Sequence, residues 1–447
     1  HAVRLAVTDE GNATGELNFT IQVGNGQSPT LTLKGPSRIR HPKGELFQDP
    51  GFFAFDELDG DLNSSVIVTG KVETNAPGVY SLTYDVSDHD GNEATSVTRE
   101  VYVPDPSQTP RTLQVVAPKG VVDTIAVAVG PSGTRYLAGS FRDTAVFGEV
   151  SLHAENGDAF LACLEANGSV RWARGFGGLG RDEANDVAVG SDGSIYLSGT
   201  FEGLVQVDGW ALISAGGSDG FLIKLDSQGS LRWGRTVGGL GEDSGQSVAI
   251  ASDDSARWVG NISGDAVLDG TPLTSSGNDD LFLAKLSTTG NVDWVQTAGG
   301  GEEDEAHAIV IEPKTGDTYV AGGTHEGVQA NAFLLKYDDE GTLNWGTKLT
   351  GAMNSQVLDL ATDESGVYLV GSFEGEANLG NLTMSSEGDA DGFIAKLDPE
   401  GNPQWTQTVG GTASDRIESV EVDPYGDPII AGHFAGTASA GEHSIDS

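Results

Sequence analysis

One short segment occurs five times in this 447-residue chain and constrains its fold more than any other feature. Each copy begins with Phe, has a Gly eight residues later and ends with a Trp four residues after that. The copies are FLACLEANGSVRW (160–172), FLIKLDSQGSLRW (221–233), FLAKLSTTGNVDW (282–294), FLLKYDDEGTLNW (333–345) and FIAKLDPEGNPQW (393–405). Alternating apolar positions on both sides of a polar turn with Gly predict two antiparallel strands. The chain is therefore expected to consist of similar β-sheet repeats.

A Gly-rich loop with an acidic residue follows the Trp, and a second alternating strand pair follows the loop. The clearest example of this pair is DVAVGSDGSIYLSGTF (186–201). Each repeat is thus predicted to contain four strands, with a period of about 60 residues. Four short strands cannot bury both faces of their sheet alone, so neighbouring repeats must pack face to face around an axis. This predicts a β-propeller, since separate β-sandwiches would need about seven strands per repeat.

The repeat GGSDGFLIKLDSQGSLRWGRTVGGLGEDSGQSVAI (216–250) resembles the bacterial SBBP β-propeller repeat, and the resemblance covers about residues 120–447. It implies a ring of seven blades, of which six are identifiable in this sequence. The sixth copy runs through two strands and an insert and reaches Ser447 where another Phe-led strand is due. The predicted propeller spans residues 111–447, with its last blade incomplete.

Most repeats carry an extra segment between their second and third strands. The segments are AVFGEVSLHA (145–154), VQVDGWALIS (205–214), AVLDGTPLTS (266–275) and ANLGNLTMSS (377–386). Their alternation predicts short outer hairpins. The fourth repeat has only THEGVQAN (324–331) at this position and is expected to lack the hairpin.

The N-terminal quarter has a different pattern. Alternating apolar segments separated by Pro, Gly, Asn and Asp predict a small antiparallel β-sandwich at residues 25–104. The motifs DPG (49–51), DELDGDL (56–62) and DHDGN (88–92) resemble bacterial Ig-like modules related to the hyalin repeat. This resemblance implies a spacer or adhesion stalk on a secreted protein. We expect residues 1–24 to be the C-terminal hairpin of a preceding Ig-like domain and residues 105–110 to be a Pro-rich linker.

Charge and cysteine content exclude several functions. The formal net charge is −42, from 24 basic and 66 acidic residues, which excludes a nucleic-acid partner. No apolar run approaches the roughly 18 residues that a membrane-spanning helix needs. A single Cys163 provides neither a disulfide framework nor a cysteine metal site.

Two acidic loops of the predicted sandwich offer oxygen ligands at the close spacing that Ca²⁺ requires. Candidate metal ligands are Asp56, Asp59, Asp61, Asp85, Asp88, Asp90 and Asn92. The alternative is that these side chains hold tight turns by bonding their own backbone.

A second set of candidates lies in the loops after the repeated Trp. Candidate ligand-binding residues are Asp182, Asp243, Asp304, Asp415 and His307. A rim of carboxylates could bind cations or hydroxyl-rich ligands such as glycans, whereas the alternative is again a turn role. His307 stands where other repeats have Asn185, Gln246 or Glu418, and it is either an acid–base group or part of a solvated polar loop.

Catalytic signatures such as H-E-x-x-H and phosphate-binding loops are missing from the sequence. We therefore expect a non-enzymatic bacterial protein, secreted or on the cell surface, whose Ig-like stalk presents the propeller. Its partner would be a glycan, the matrix or another copy of the protein. One alternative is an extracellular polysaccharide-active enzyme with its site at the propeller centre. Another is a subunit of a self-assembling extracellular fibre.

Overall fold

The computed structural model describes residues 2–8, 14–20, 27–104, 119–326, 329–441 and 443–446. This part of the chain is built of β-strands with one 3₁₀ turn and no α-helix, which confirms the all-β fold class. No helix within these ranges is long and apolar enough to cross a membrane. Two compact units are formed, one from His1–Arg111 with Pro424–Asp427 and the other from Thr112–Asp423 with Pro428–Ser447. The predicted linker at 105–110 lies outside the described residues.

The first unit begins with an antiparallel hairpin of β1 (Ala2–Thr8) and β2 (Thr14–Thr20). An Ig-like sandwich of two sheets follows. One sheet contains β3 (Thr30–Leu33), β5 (Phe52–Asp56) and β6 (Gly60–Asp61). The other contains β4 (Arg38–Arg40), β9 (Val97–Val103), β8 (Gly78–Asp85) and β7 (Ile67–Thr69), in that order. Alternate residues such as Leu31, Ala54 and Leu82 form the buried core, because successive side chains of a strand point to opposite faces.

A fully buried arginine explains the DPG motif of this sandwich. The guanidinium of Arg99 donates to the Asp49 carboxylate, to the hydroxyl of Tyr84 and to the backbone carbonyls of Lys34 and Gly51. A buried charge is tolerated only when it is paired and its donors are satisfied. Burial, followed by the hydrogen bond to Asp49, raises the pKa of Tyr84 to about 12, so this hydroxyl stays protonated.

The second unit contains six successive repeats, called repeats 1 to 6 below. Repeat 1 has β10 (Lys119–Val129), β11 (Arg135–Phe147), β12 (Val150–His153), β13 (Asp158–Leu164) and β14 (Val170–Phe176). Repeat 2 has β15 (Glu183–Val189), β16 (Ile195–Val207), β17 (Trp210–Leu225) and β18 (Leu231–Gly239). Repeat 3 has β19 (Ser244–Ile250), β20 (Ala256–Leu268), β21 (Thr271–Leu286) and β22 (Val292–Ala298).

The last three repeats vary this pattern. Repeat 4 has β23 (Glu303–Ile311), β24 (Thr318–Glu326), β25 (Gln329–Tyr337) and β26 (Leu343–Lys348). Repeat 5 has β27 (Asn354–Asp363), β28 (Gly366–Glu374), β29 (Glu376–Leu379), β30 (Leu382–Ser385), β31 (Asp391–Leu397) and β32 (Pro403–Gly410). Repeat 6 has β33 (Arg416–Val422), β34 (Pro428–His433), β35 (Thr437–Ala440) and β36 (His443–Asp446).

The outer hairpins predicted for repeats 1, 2, 3 and 5 are present. In repeat 2, for example, the end of β16 pairs with the start of β17, Val207 lying opposite Trp210. In repeat 4 the strands β24 and β25 instead pair directly, with Glu326 opposite Gln329. Because only two residues separate these strands, the connection is too short to contain an additional outer hairpin.

The first strand of every repeat carries one irregularity at the same position. The residue left out of the ladder is Ile125, Asn185, Gln246, His307, Leu358 or Glu418. Such a β-bulge bends the strand and redirects a side chain. First strands of consecutive repeats contact one another, from β10 and β15 through to β27 and β33.

The Trp and Lys of repeats 2, 3 and 4 join each of these repeats to the next. The indole Nε1 of Trp233 and the ammonium of Lys224 both donate to the backbone carbonyl of Thr288, in the Gly turn of repeat 3. The pairs Trp294 with Lys285 and Trp345 with Lys336 do the same with the carbonyls of Asp339 and Pro399. The Lys of the third strand and the Trp of the fourth strand therefore form hydrogen bonds with the following repeat.

Apolar packing also joins neighbouring repeats, in addition to one buried cluster that lies wholly within repeat 1. One buried cluster contains Leu161 and Cys163 of repeat 1 with Val187, Leu197 and Ile223 of repeat 2. The next joins repeats 2 and 3 in the same manner. Each repeat thus completes the core of its neighbour.

Candidate functional site

The four repeated loop aspartates do not form an exposed rim. Asp182, Asp243 and Asp415 are 1–2% exposed, and both of their carboxylate oxygens accept bonds from backbone N–H groups. The carboxylate of Asp243, for example, accepts from Gly239 N at 2.7 Å and from Ser263 N at 2.8 Å. These three side chains are therefore not displayed to a ligand, as one sequence interpretation had it. Their carboxylate oxygens instead link the Gly-rich loop to the following repeat. Asp304 is only partly buried and accepts from Gly300 N at 2.6 Å.

Each loop aspartate has a second aspartate beside it, in the third strand and two residues before the repeated Phe. These neighbours are Asp158, Asp219, Asp280 and Asp391. In all four, the Oδ1 atom is buried without a hydrogen-bond partner in the described part of the protein. The carboxylate packs against a Gly of the loop so closely that a Cβ at Gly238 would lie 2.2 Å from the Asp219 carboxyl carbon. The first Gly of the loop is therefore required for space.

Burial dominates the ionisation of these pairs. It raises the pKa of Asp158, Asp182 and Asp219 to about 6 and also raises the pKa of Asp243, Asp280 and Asp391. The negative charge of the neighbouring aspartate adds to the effect in Asp182 and Asp219. A buried carboxyl next to another favours the protonated form.

His307 lies within strand β23 and not on a loop, which corrects the sequence interpretation. It is the bulged residue of that strand, its side chain is 22% exposed, and its Nδ1 lies 2.8 Å from the carbonyl of Val357. Since a carbonyl only accepts, Nδ1 donates this bond, and Nε2 lies 3.6 Å from the Glu305 carboxylate. A hydrogen bond from His307 lowers the pKa of Glu305. The imidazole thus ties repeat 4 to repeat 5.

Two further carboxylates, Asp186 and Asp359, lie in first strands and were not predicted from the sequence as candidate site residues. Each follows the bulge of a first strand, in repeats 2 and 5, and each bonds to the first strand of the next repeat. Asp186 accepts from Ser247 Oγ and Val248 N, and Asp359 accepts from Val420 N at 2.9 Å. Burial raises the pKa of both, that of Asp359 to about 6, and the charge of Asp186 contributes to the latter.

A signal for these residues exists in the aligned first strands. The position after the bulge reads Ala, Asp, Ser, Ala, Asp, Ser through repeats 1 to 6. Only repeats 2 and 5 have an acid at this position, and the repeat that follows each of them has a Ser at the same position.

In the Ig-like domain the structure brings together three of the seven candidate metal ligands. One oxygen from each of Asp56, Asp59 and Asp88 lies within 4.8 Å of the others. These carboxylates also hold turns: Asp56 accepts from Leu58 N, and Asp59 accepts from His89 N, both at 2.8 Å. A hydrogen bond from the Asn92 side chain lowers the pKa of Asp88.

Asp61, Asp85 and Asp90 are not members of this group of three, whereas Asn92 bonds to one of its members. Asp61 accepts from Asn63 N at 2.8 Å, and Asp85 accepts from Ser96 Oγ. Asp90 is exposed, and Asn92 donates to Asp88 through both its backbone and its side-chain N–H groups. Turn chemistry accounts for Asp61 and Asn92.

Parts of the chain are similar to known proteins. The regulatory protein FlaEY of Caulobacter vibrioides is 32% identical over 222 residues, or 44% of this chain and 22% of that protein. An uncharacterized WD repeat-containing protein of Acanthamoeba polyphaga mimivirus is 24% identical over 205 residues, or 43% of this chain and 14% of that protein. The chain thus spans about a fifth or less of the length of these curated relatives.

Among solved structures, a lipoprotein from Bacteroides thetaiotaomicron is 17% identical, covering 69% of this chain and 98% of its own. Its TM-score of 0.18 is too low to support a shared fold. The family model for the Ig-like domain of bacterial surface proteins matches residues 31–103. The described sandwich at the start of this chain is thus an Ig-like domain of the bacterial surface protein type.

Proposed function

We propose that this is a non-catalytic bacterial cell-surface protein in which the Ig-like domain is a spacer and the six repeats are blades of a β-propeller. The propeller would present a rigid surface to a glycan, the matrix or another protein copy. The observation that carries the proposal is the match of residues 31–103 to bacterial surface Ig-like domains.

Contacts between repeats support the propeller. First strands touch in sequence order, each repeat completes the core of its neighbour, and Trp and Lys bond to the next repeat. Four-stranded sheets that pack radially in this way are blades. The strong acidity of the chain suits a surface-exposed protein that must stay soluble.

The bonding of the repeated acids supports a role without catalysis. Their carboxylates serve backbone N–H groups at equivalent positions of several repeats, as turn-holding residues do. An active site would instead concentrate its special residues in one place.

The test is to label intact cells of the source bacterium with a membrane-impermeant biotin reagent and to compare attachment with and without residues 119–446. We expect labelling of the protein and loss of attachment or assembly on deletion. A protein that is labelled only after lysis, or a deletion without effect on attachment and assembly, would contradict the proposal.

We also propose that Ca²⁺ binds at Asp56, Asp59 and Asp88. Clustered carboxylate oxygens are the ligands that Ca²⁺ prefers, and here three lie within 4.8 Å of one another. Binding to the folded state alone would stabilise it by about 2.7 kcal/mol at a Ca²⁺ concentration 100 times the Kd. Thermal unfolding with Ca²⁺ and with excess chelator should therefore differ. Asp59→Asn should abolish the difference and Asp90→Asn, outside the cluster, should preserve it; equal melting with and without chelator would leave these acids as turn residues.

A polysaccharide-active enzyme with a central site is the second candidate, and Asp186 with Asp359 favours it. They are acids that only two of the six first strands carry, the charge of Asp186 contributes to the raised pKa of Asp359, and this raised pKa would suit a general acid. Release of reducing ends from acidic and neutral polysaccharides tests this function. Activity lost in Asp359→Asn with an unchanged melting temperature would establish it, and the absence of any released ends would reject it.

A further inference from the structure

The outer hairpin of repeat 2 shows what these hairpins do. Its side chains Val205, Val207 and Leu212 cover Phe221 and Ile223 of the third strand. The gap left beneath the hairpin is only about 10 Å³. At the hairpin turn, Asp208 accepts from the backbone N–H of Leu231 at 2.8 Å, which covers the start of the fourth strand.

Repeat 4 lacks the hairpin, and the equivalent place is an open cavity. Phe333 and Leu335 correspond to Phe221 and Ile223. Phe333 is as buried as Phe221, but Leu335 is only partly buried, whereas Ile223 is 1% exposed. The cavity has a volume of about 490 Å³ and is lined by Leu281, Phe333, Leu335, Tyr337, Leu343 and Lys348, among others. Leu343, the counterpart of Leu231, is 51% exposed.

A strand edge borders the same cavity. In repeat 3 the outer hairpin pairs with the end of the preceding fourth strand, with Val237 opposite Leu268 and Gly239 opposite Ala266. In repeat 6 the strand β35 pairs with Val409 and Gly410 in the same way. At repeat 4 the corresponding strand is β22, which pairs only with β21 among the described strands. Ala298, Gly299 and Gly300 at its end therefore line the cavity without this partner strand.

We propose that this cavity is the docking site for a β-hairpin supplied by a partner polypeptide. The hairpins of the other repeats define the occupant: an extended segment that adds to the edge at Ala298–Gly300 and places aliphatic side chains on Leu335 and Leu343. Strand addition of this kind takes affinity from the backbone ladder and specificity from pockets for alternate side chains.

Charge restricts the partner further. The exposed Glu302 lies on the cavity wall with Asp304, and the chain as a whole carries a formal net charge of −42. Like charges brought together at an interface oppose binding. The docking hairpin would therefore be neutral or basic next to these acids.

The probe for this proposal is a synthetic peptide with capped ends and the sequence of the repeat 3 hairpin, GDAVLDGTPLTS (264–275), in which Lys replaces Asp265 so that the peptide has no net charge. Isothermal titration to the purified full chain should give saturable binding of one peptide per protein. Leu343→Glu should weaken binding at least tenfold, because it places a charge on the exposed cavity wall. Leu179→Glu is the matched control, since Leu179 is also an exposed leucine but lies away from the cavity.

A graft distinguishes filling of the cavity from an unspecific effect. When GDAVLDGTPLTS replaces residues 327–328, the added hairpin should occupy the cavity from within, raise the melting temperature and abolish peptide binding. The proposal is overturned if the unmodified protein does not bind the peptide at millimolar concentration, or if the grafted protein binds it equally well. It is also overturned if a small apolar dye occupies the cavity and the peptide cannot displace it. Because purified protein suffices, the outcome is independent of the proposed surface role.

Discussion

The packing of each Gly turn on the Trp of the preceding repeat can be tested at Gly290. Gly290 has φ +83°, and a Cβ built there would lie 2.6 Å from Cδ2 of Trp233. The alanine of Gly290→Ala would meet both a left-handed backbone conformation and the indole ring. Gly264 is the matched control, because it has φ +76° and no atom lies within 4 Å of the place that an alanine methyl group would take there.

The two substitutions separate two energies. A left-handed conformation costs Ala about 1–2 kcal/mol, and this cost applies to both positions. Forcing a methyl group into a packed contact costs roughly a further 1–3 kcal/mol, and this cost applies only to Gly290. We therefore expect a loss of about 1–2 kcal/mol for Gly264→Ala and about 2–5 kcal/mol for Gly290→Ala.

Urea unfolding followed by circular dichroism gives both values from the transition midpoints. Introducing Gly290→Ala into a Trp233→Phe background removes part of the indole and should bring its cost close to that of Gly264→Ala. Equal losses for the two single variants would refute the conclusion that the turn and the indole hold neighbouring repeats together. So would a Gly290→Ala cost that does not change in the Trp233→Phe background.

Two further predictions concern buried charges. The folded-state pKa of Asp182, Asp219 and Asp359 is raised to about 6 from an ordinary 3.8. Between pH 3.8 and about 6 the folded state therefore binds more protons than the unfolded state. The three carboxyl groups make the protein less stable as the pH rises through this range. Asp219→Asn should raise stability at pH 7.5 by about 1–3 kcal/mol and flatten this part of the melting temperature against pH, whereas an unchanged slope would contradict the raised pKa. Lys336 lies 3.0 Å from both Glu312 and Asp317, and its side chain is 7% exposed. Lys336→Met should cost about 3–5 kcal/mol in urea unfolding because two carboxylates lose their cation, and a loss below 1 kcal/mol would show that water replaces it.

Much of the fold follows from the sequence because its signals are local. The Phe, Gly and Trp spacing predicts the third and fourth strands, and these strands are observed around each of the five Gly turns. The missing segment of repeat 4 predicts the missing hairpin in the same way. What a local pattern cannot predict is the partner of a side chain that lies in another repeat. The bond from Trp233 to Thr288 is an example, since it joins residues 55 positions apart.

The candidate site was harder to predict for the same reason. Asp and Gly in a loop are compatible with both a displayed carboxylate and a buried one, and only the neighbouring repeat decides which occurs. The carboxylate of Asp243 is buried because Ser263 N, from the next repeat, reaches it. Asp186 and Asp359 give no turn or motif signal within their own strand and stand out only when the first strands of all six repeats are aligned. Their interaction connects repeats that are three apart.

The hydrogen bonds that the repeated Trp and Lys make between repeats run in one direction along the chain. Trp233 and Lys224 of one repeat supply the donors, and the turn at Thr288 in the next repeat supplies the acceptor. Each such repeat provides donors to the repeat that follows and an acceptor turn to the repeat before it. Duplication of a complete repeat would preserve these hydrogen bonds, whereas loss of half a repeat would leave indole and ammonium donors without the turn that accepts them. A gene encoding such repeats can therefore gain or lose only whole repeats without breaking these bonds.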